Sequence, residues 1–169
     1  MTNISLIRLS DEHTIAFKEE MQEAFQHGFM AYYKDDNQWQ VLPDKDFYQS
    51  LEAEGAEAYE AVNEDGQRVG GAIITANGTM GELAFLYVKV GVQSKGIGQS
   101  IWKSIEIMHP EIEVWETCTP YFDRRNIHFY INRCGFHAIE FFNEHHPDPN
   151  MPEQFDQEDG LFKFEKRMT

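Results

Sequence analysis

Apolar and polar residues alternate over "ISLIRL" at 4–9, the two-residue period of a short strand. From Ser10 the period lengthens. Phe17, Met21, Ala24, Phe25 and Gly28 recur on one helical face, with Ser10 as the expected N-cap and His13 at the capping-box partner position. "LPDKDFYQSLEAEG" has Pro43 near its start and Gly55 past its end, the asymmetry of a short helix. The texture then changes. "AEAYEAV" (56–62) and "RVGGAIITA" (68–76) are strand-like and are joined by "NEDGQ", which carries an Asp-Gly hairpin signal. After the turn "NGT", "GELAFLYVKV" (81–90) reads as a third strand of an antiparallel meander. Strict alternation would put Glu82, Ala84, Leu86 and Val88 on one face and Leu83, Phe85, Tyr87 and Lys89 on the other.

Past residue 96 the helical period returns in Ile97, Ile101, Ile105 and Met108, and "HPE" at 109–111 stops it. "IEVWETCT" (112–119) is a strand, "DRRNIHFYINRC" a helix ending at Gly135, and "FHAIEFF" (136–142) a strand. A long polar loop leads to the alternating "LFKFEKRM" (161–168). The predicted order is β-α-α-β-β-β-α-β-α-β-β. Helices interspersed with a partly antiparallel sheet imply an α/β fold with a mixed sheet. No repeat or linker interrupts the 169 residues, so one domain, 1–169, is expected.

Composition changes this picture in two ways. A hydrophobic share of 41% argues against disorder, and no run of about 18 apolar residues predicts a membrane span. The N-terminus does not read as a signal peptide, and Cys118 and Cys134 read as free thiols of a cytoplasmic protein. The net charge of −15 argues against sequence-independent nucleic-acid binding and is compatible with a cationic partner, although such acidity more often serves solubility alone. The charge is also uneven. Residues 1–79 hold 15 acidic against five basic side chains, whereas Leu83–Ile105 holds three lysines and no acid. Arg124, Arg125 and Arg133 form a second basic island around the single Asp123.

The first island contains "VQSKGIGQS" at 92–100, a glycine-bearing turn between a strand and a helix. Free backbone N–H groups and the positive dipole end of a helix make such a turn an anion site. Gly96 and Gly98 permit close approach and positive φ, and Lys95 adds a charge. Two glycines alone more often merely join a strand to a helix. The dinucleotide fingerprint fails because Ile101 stands where its third glycine is required. The P-loop fails because Gln99 and Ser100 follow Gly98.

Gln93, Gly96 and Gly98 fit Q/R-x-x-G-x-G/A, and Leu86 and Val88 precede them at L-x-V spacing, with Val90 in place of a proline. "NIHFYINRCGF" adds a helix with an aromatic pair ending in G-F. Together these segments resemble the GNAT superfamily of acyl-CoA N-acyltransferases. The resemblance implies a mixed, mostly antiparallel sheet flanked by helices, whose central strands splay apart at a bulge in the strand before the loop. It implies acetyl-CoA as co-substrate, no metal, and an amine of a small molecule or peptide as acceptor, attacking the thioester directly. It implies pantetheine along Leu86, Tyr87 and Val88, and pyrophosphate on the amides of Ser94, Lys95, Gly96, Ile97, Gly98 and Gln99, after Gln93. Lys95, Arg124 or Arg125, with Asn126, would meet the rest of the nucleotide.

An alkylammonium must lose a proton before it attacks, so a base is required, and Glu82 and Glu116 are the candidates. A strand N–H near Val88 would serve the developing oxyanion. The family places a proton-donating tyrosine in the second signature, and Tyr130 matches it. The match is one residue too long before Gly135, which would turn a helical side chain by roughly 100°. Either a wider turn absorbs the extra residue or Tyr130 points elsewhere. His145, His146 and Asp148 are adjacent but do not make a converging metal set. Phe29, Tyr32, Tyr33 and Trp39 read equally as acceptor-pocket lining or core. The alternatives at this stage are an acetyl-CoA-dependent N-acetyltransferase, alone or as a homodimer, and a non-catalytic acyl-CoA-binding module.

Overall fold

In the computed structural model, residues 3–32, 40–92, 96–149 and 160–169 are described. The strands are β1 (Ser5–Arg8), β2 (Ala56–Val62), β3 (Arg68–Asn77), β4 (Met80–Val88), β5 (Val114–Pro120), β6 (His137–Phe142) and β7 (Leu161–Arg167). The helices are α1 (Thr14–Tyr32), α2 (Asp44–Glu52), α3 (Ile97–Met108) and α4 (Arg124–His128). The seven strands form one sheet in the order β1-β2-β3-β4-β5-β7-β6. Every neighbouring pair is antiparallel except β4 and β5.

Local chemistry explains the meander. Asn63 Oδ1 accepts from the N–H groups of Asp65 and Gln67, and Gly66 takes φ of 79°, so the β2–β3 turn closes on itself. Pro43 precedes α2, and Gly55 beyond it takes φ of 78°. The start of α1 departs from expectation. A 3-10 turn (Asp11–His13) comes first, and Ser10 makes no side-chain cap. Thr14 Oγ1 instead donates to the Ser10 carbonyl, and His13 is drawn away to Glu60. Gly28 is exposed, and Phe29 packs in its place.

Each face of the sheet carries its own core. Phe17, Met21 and Phe47 of α1 and α2 close over Ala58, Ile73 and Tyr87. On the other face Ile97, Ile101, Trp102 and Ile105 of α3 pack on Ala72, Ile74, Leu83 and Trp115, joined by Tyr130, Phe136 and Phe164. Trp102 meets Trp115 edge-on at 5.0 Å, the geometry their ring quadrupoles favour. Gly81 is required beneath this pair, since a Cβ there would lie 2.5 Å from the Trp115 ring.

The strict alternation expected along β4 fails at one residue. Ile74 pairs with Leu83 while Ile73 pairs with Phe85, so Ala84 is an extra residue in a β-bulge. The bulge reverses the facing of everything beyond it. Leu83, Leu86 and Val88 lie on the α3 face, and Phe85 and Tyr87 lie under α1. Gly81 and Leu83 face α3, so Glu82 between them points to the α1 face.

Candidate active site

The central strands part where the bulge begins. β4 and β5 pair only as Met80↔Val114, Gly81↔Trp115 and Glu82↔Glu116. β4 stays with β3 as far as Gly70↔Val88, and β5 stays with β7 as far as Pro120↔Leu161. A wedge therefore opens between them beyond Glu82 and Glu116. The Lys89 N–H bonds the Val69 carbonyl at 2.8 Å. Main-chain groups alternate in direction along a strand, so those of Tyr87 also face β3 and those of Leu86 and Val88 face the wedge. The Tyr87 side chain is buried under α1. Leu86 and Val88 are thus the positions whose backbone is free to bind something in the gap.

At the mouth of the wedge stands the start of α3. Gly96 takes φ of 79°, the left-handed region, and its carbonyl accepts the first helical bond from Ser100 at 2.9 Å. The N–H groups of Ile97, Gly98 and Gln99 belong to the first turn, which has no intrahelical acceptors for them. Gly98 is helical and buried, so its role is close packing rather than positive φ. A Cβ on it would stand 3.2 Å from the Phe129 ring. The Gln99 side chain is engaged, its Nε2 donating to the Arg133 carbonyl at 3.1 Å. Gln93, Ser94 and Lys95 lie outside the described residues, as do Tyr33, Trp39 and the side chain of Tyr32.

Beyond β5, Asp123 caps α4 by accepting from the Asn126 N–H at 3.0 Å. This leaves Arg124 exposed and Asn126 half-buried beside it. The expected single helix over 123–134 divides here. α4 ends at His128, and Phe129–Arg133 form a π-helical turn. The Cys134 N–H reaches back five residues to the Phe129 carbonyl, and the Phe136 N–H six residues to that of Tyr130. The extra residue before Gly135 is absorbed by this wider turn. Tyr130 faces inward, buried against Phe136 and Phe164. Burial holds the pKa of its hydroxyl well above the usual phenol value. On β5, Thr117 Oγ1 donates to the Leu83 carbonyl across the strand gap at 2.9 Å.

The α1 face of the wedge is acidic. Glu82 and Glu116 are register partners, and both lie near Cys118, Asp148 and Lys163. Lys163 Nζ is 3.5 Å from the Glu116 carboxylate. Glu82 makes no hydrogen bond or ion pair among the described residues. Its carboxyl reaches solvent yet is crowded by protein, and that desolvation, reinforced by Glu116, raises its pKa. Crowding, with Glu82 and Asp148 close by, pushes the Cys118 thiol up to about 12. Cys118 is therefore a thiol at neutral pH and a poor nucleophile. Above this face Phe25 meets Phe85 at 5.7 Å, and Phe29 meets Phe122 at 5.9 Å. These contacts carry aromatic rings from β4 to the turn after β5.

Sequence reasoning missed Thr117, Asp148 and Lys163 as parts of this region. A threonine at the buried parity of "VWETCT" was the available signal for Thr117. Asp148 and Lys163 arrive from distant segments and had none. Among the described residues no group of three or more His, Cys, Asp or Glu side chains could hold a metal.

The wedge and the helix start fit an acyl-CoA. A polar chain needs strand groups to pair with, and the pyrophosphate needs free N–H groups at a close-packed glycine turn; both are present. Comparison with known proteins agrees. Residues 15–136 match the model of the acetyltransferase (GNAT) family. An uncharacterised protein of Bacillus subtilis strain 168, YrkN, is 42% identical over 137 residues, covering 80% of this chain and 74% of its own. A GNAT family acetyltransferase from Elizabethkingia anophelis, solved with acetyl-CoA bound, superposes with a TM-score of 0.71 at 13% identity, over 98% of this chain and 99% of that one. Spermidine N-acetyltransferase from Vibrio cholerae, solved with CoA and spermine, gives 0.67 at 10% identity, over 97% and 95%. At such identities the two structures share the fold with this chain. The family match covers most of its length, and the chain belongs to the GNAT family of acetyltransferases.

Proposed function

We propose that this chain, acting as one domain over 1–169, moves the acetyl group of acetyl-CoA to a primary amine of a small molecule or peptide. The observation that carries the reading is the wedge. It starts at the Glu82↔Glu116 rung and has a free-amide helix start at one side and carboxylates on its α1 face. Acetyl-CoA supplies an activated thioester. The amides of Gly96, Ile97, Gly98 and Gln99 would hold its pyrophosphate, with Gln93, Ser94 and Lys95 completing the loop in sequence. Leu86 and Val88 would bond the pantetheine arm through their backbone. Arg124 and Asn126 would lie beside the rest of the nucleotide.

The acceptor arrives protonated and has to be neutralised before it can attack. Glu82 suits this step better than Glu116. Among the described residues it has no ion-pair partner, and its raised pKa brings it closer to that of an ammonium, whereas Lys163 engages Glu116. Tyr130, whose proton is retained well past neutral pH, is the donor to the departing thiolate. Glu82, Glu116 and Asp148 favour a cationic acceptor over a neutral one. The free thiols of Cys118 and Cys134 suit a reducing cytoplasm.

The test is titration of the protein with acetyl-CoA, followed by thiol release over a panel of polyamines, aminoglycosides and lysine peptides. Saturable binding with release from at least one amine is expected. Binding without release from any amine would replace this reading with an acyl-CoA-binding module, and an absence of binding would end both.

A further inference from the structure

Pyrophosphate at the start of α3 would commit the donor to the α3 side of the gap, so the amine has to enter from the α1 face, toward which Glu82 points. Along α1 the packing changes on the way to that entrance. Phe17 and Met21 are fully buried over the sheet. Phe25, two turns beyond Phe17, is only half-buried, and its ring meets the half-buried Phe85 at 5.7 Å. Phe29, one turn further, reaches the half-buried Phe122 in the turn after β5 at 5.9 Å. Phe85 is the first residue of β4 past the bulge and lies on the same face as Glu82. Three residues of strand span at most about 10 Å, so rings and carboxylate share one entrance. A closed core would bury these rings completely. An apolar surface beside an unpaired-for charge suits a molecule with a charged head and an apolar body.

We infer that the acceptor is a primary amine carrying an aromatic ring on a short alkyl link, with its ammonium directed to Glu82 and its ring held against Phe25, Phe85 and Phe122. An ammonium entering beside aromatic faces is attracted by their quadrupoles, and the ring behind it gains edge-to-face contacts. A polyamine or aminoglycoside would instead bring polar groups against these rings and lose their water without new hydrogen bonds. The ammonium gives one proton through Glu82 to solvent. Its nitrogen then bonds the acetyl carbon as the C–S bond breaks. The second proton that nitrogen loses balances the one sulfur takes up, leaving an N-acetyl amide and CoA as its thiol. This inference rests on the acetyl transfer proposed above and names its acceptor.

The experiment measures thiol release from acetyl-CoA with 2-phenylethylamine, propylamine, spermidine and a lysine peptide, in wild type, Phe25→Ala and Phe25→Leu. In wild type, kcat/KM for 2-phenylethylamine should exceed that of each other acceptor by about 10- to 100-fold. Phe25→Ala should lower the ratio of 2-phenylethylamine to propylamine about tenfold, through KM for the aromatic amine and with KM for acetyl-CoA unchanged. Phe25→Leu keeps an apolar side chain and loses the ring, so its ratio should also fall, though less; it carries the test alone should the alanine variant fail to fold. Propylamine, spermidine or the peptide used as well as 2-phenylethylamine by wild type would overturn the inference and leave acetyl transfer to amines standing. A preference for 2-phenylethylamine undiminished in these variants would place its recognition elsewhere and overturn it too. Saturable acetyl-CoA binding with no release from any amine would remove acetyl transfer itself, and this inference with it.

Discussion

Glu82 and Glu116 face each other on the last rung that β4 and β5 share, and among the described residues Glu116 pairs with Lys163 at 3.5 Å while Glu82 forms no ion pair. Desolvation, reinforced by the like charge of Glu116, raises the Glu82 pKa. Glu82→Gln should therefore lower kcat/KM by about 10²- to 10⁴-fold, the range of a lost general base. Glu116→Gln should leave substantial activity but shift the acidic limb of the rate profile to lower pH. Removing the Glu116 charge removes a cause of the raised Glu82 pKa. A pH–rate profile of the two variants checks both. An unmoved limb in Glu116→Gln would mean that Glu82 does not set it.

The same raised pKa has a consequence for stability. A carboxyl whose folded pKa lies above its unfolded value favours the folded state at low pH, and that contribution fades as pH rises through the folded pKa. Replacing Glu82 by glutamine removes the desolvation of a charge at neutral pH. Glu82→Gln should thus melt at a higher temperature than wild type near pH 7, and the difference should shrink below pH 5. Thermal unfolding at several pH values decides this, and a variant less stable at neutral pH would contradict it. Gain in stability with loss of turnover is the pattern expected where a site holds strain for function.

Much of this was legible in the residues, and the parts that were not share a cause. Strand and helix order followed from periodicity, because each element presents an apolar stripe to one of the two cores. The glycine turn was legible because a positive φ at Gly96 and a close approach at Gly98 both call for glycine. The facing of Glu82 was not. The bulge at Ala84 reverses the alternation from Phe85 onward, and an alanine gives no sign of being the extra residue. The π-turn at Phe129–Arg133 was visible only as a count one too long before Gly135. Asp148 and Lys163 reach Glu82 from a loop and the last strand, and no local pattern encodes such meetings.

Gly98 packs so closely on Phe129 that any side chain must displace the ring or α3. Gly98→Glu adds a negative charge at the proposed pyrophosphate site as well as bulk. Acetyl-CoA binding should weaken by at least about tenfold, which is roughly 1.4 kcal/mol. Gly98→Ala separates the two effects. Its Cβ would meet the ring at 3.2 Å, so a small shift suffices and the loss should be smaller. Isothermal titration with acetyl-CoA measures both, and equal affinity in Gly98→Glu and wild type would relocate the pyrophosphate.

Arg68 ties the meander to α1 by a different logic. Its Nε donates to Glu20 on α1 at 2.8 Å and its other nitrogens reach Glu20 and Glu60, while His13 also meets Glu60 at 3.0 Å. The side chains of Arg68, Glu20 and Glu60 are 16%, 15% and 6% exposed, so these charges are largely withdrawn from water. Removing one partner of such a group strands the others, at a cost of about 3–5 kcal/mol. Arg68→Met should lose stability on that order in urea unfolding at pH 7. The triple variant Arg68→Met, Glu20→Gln, Glu60→Gln carries no stranded charge and should recover most of the loss. If the triple variant were no more stable than Arg68→Met, the cost would lie in lost packing of the arginine stem and not in the unpaired carboxylates.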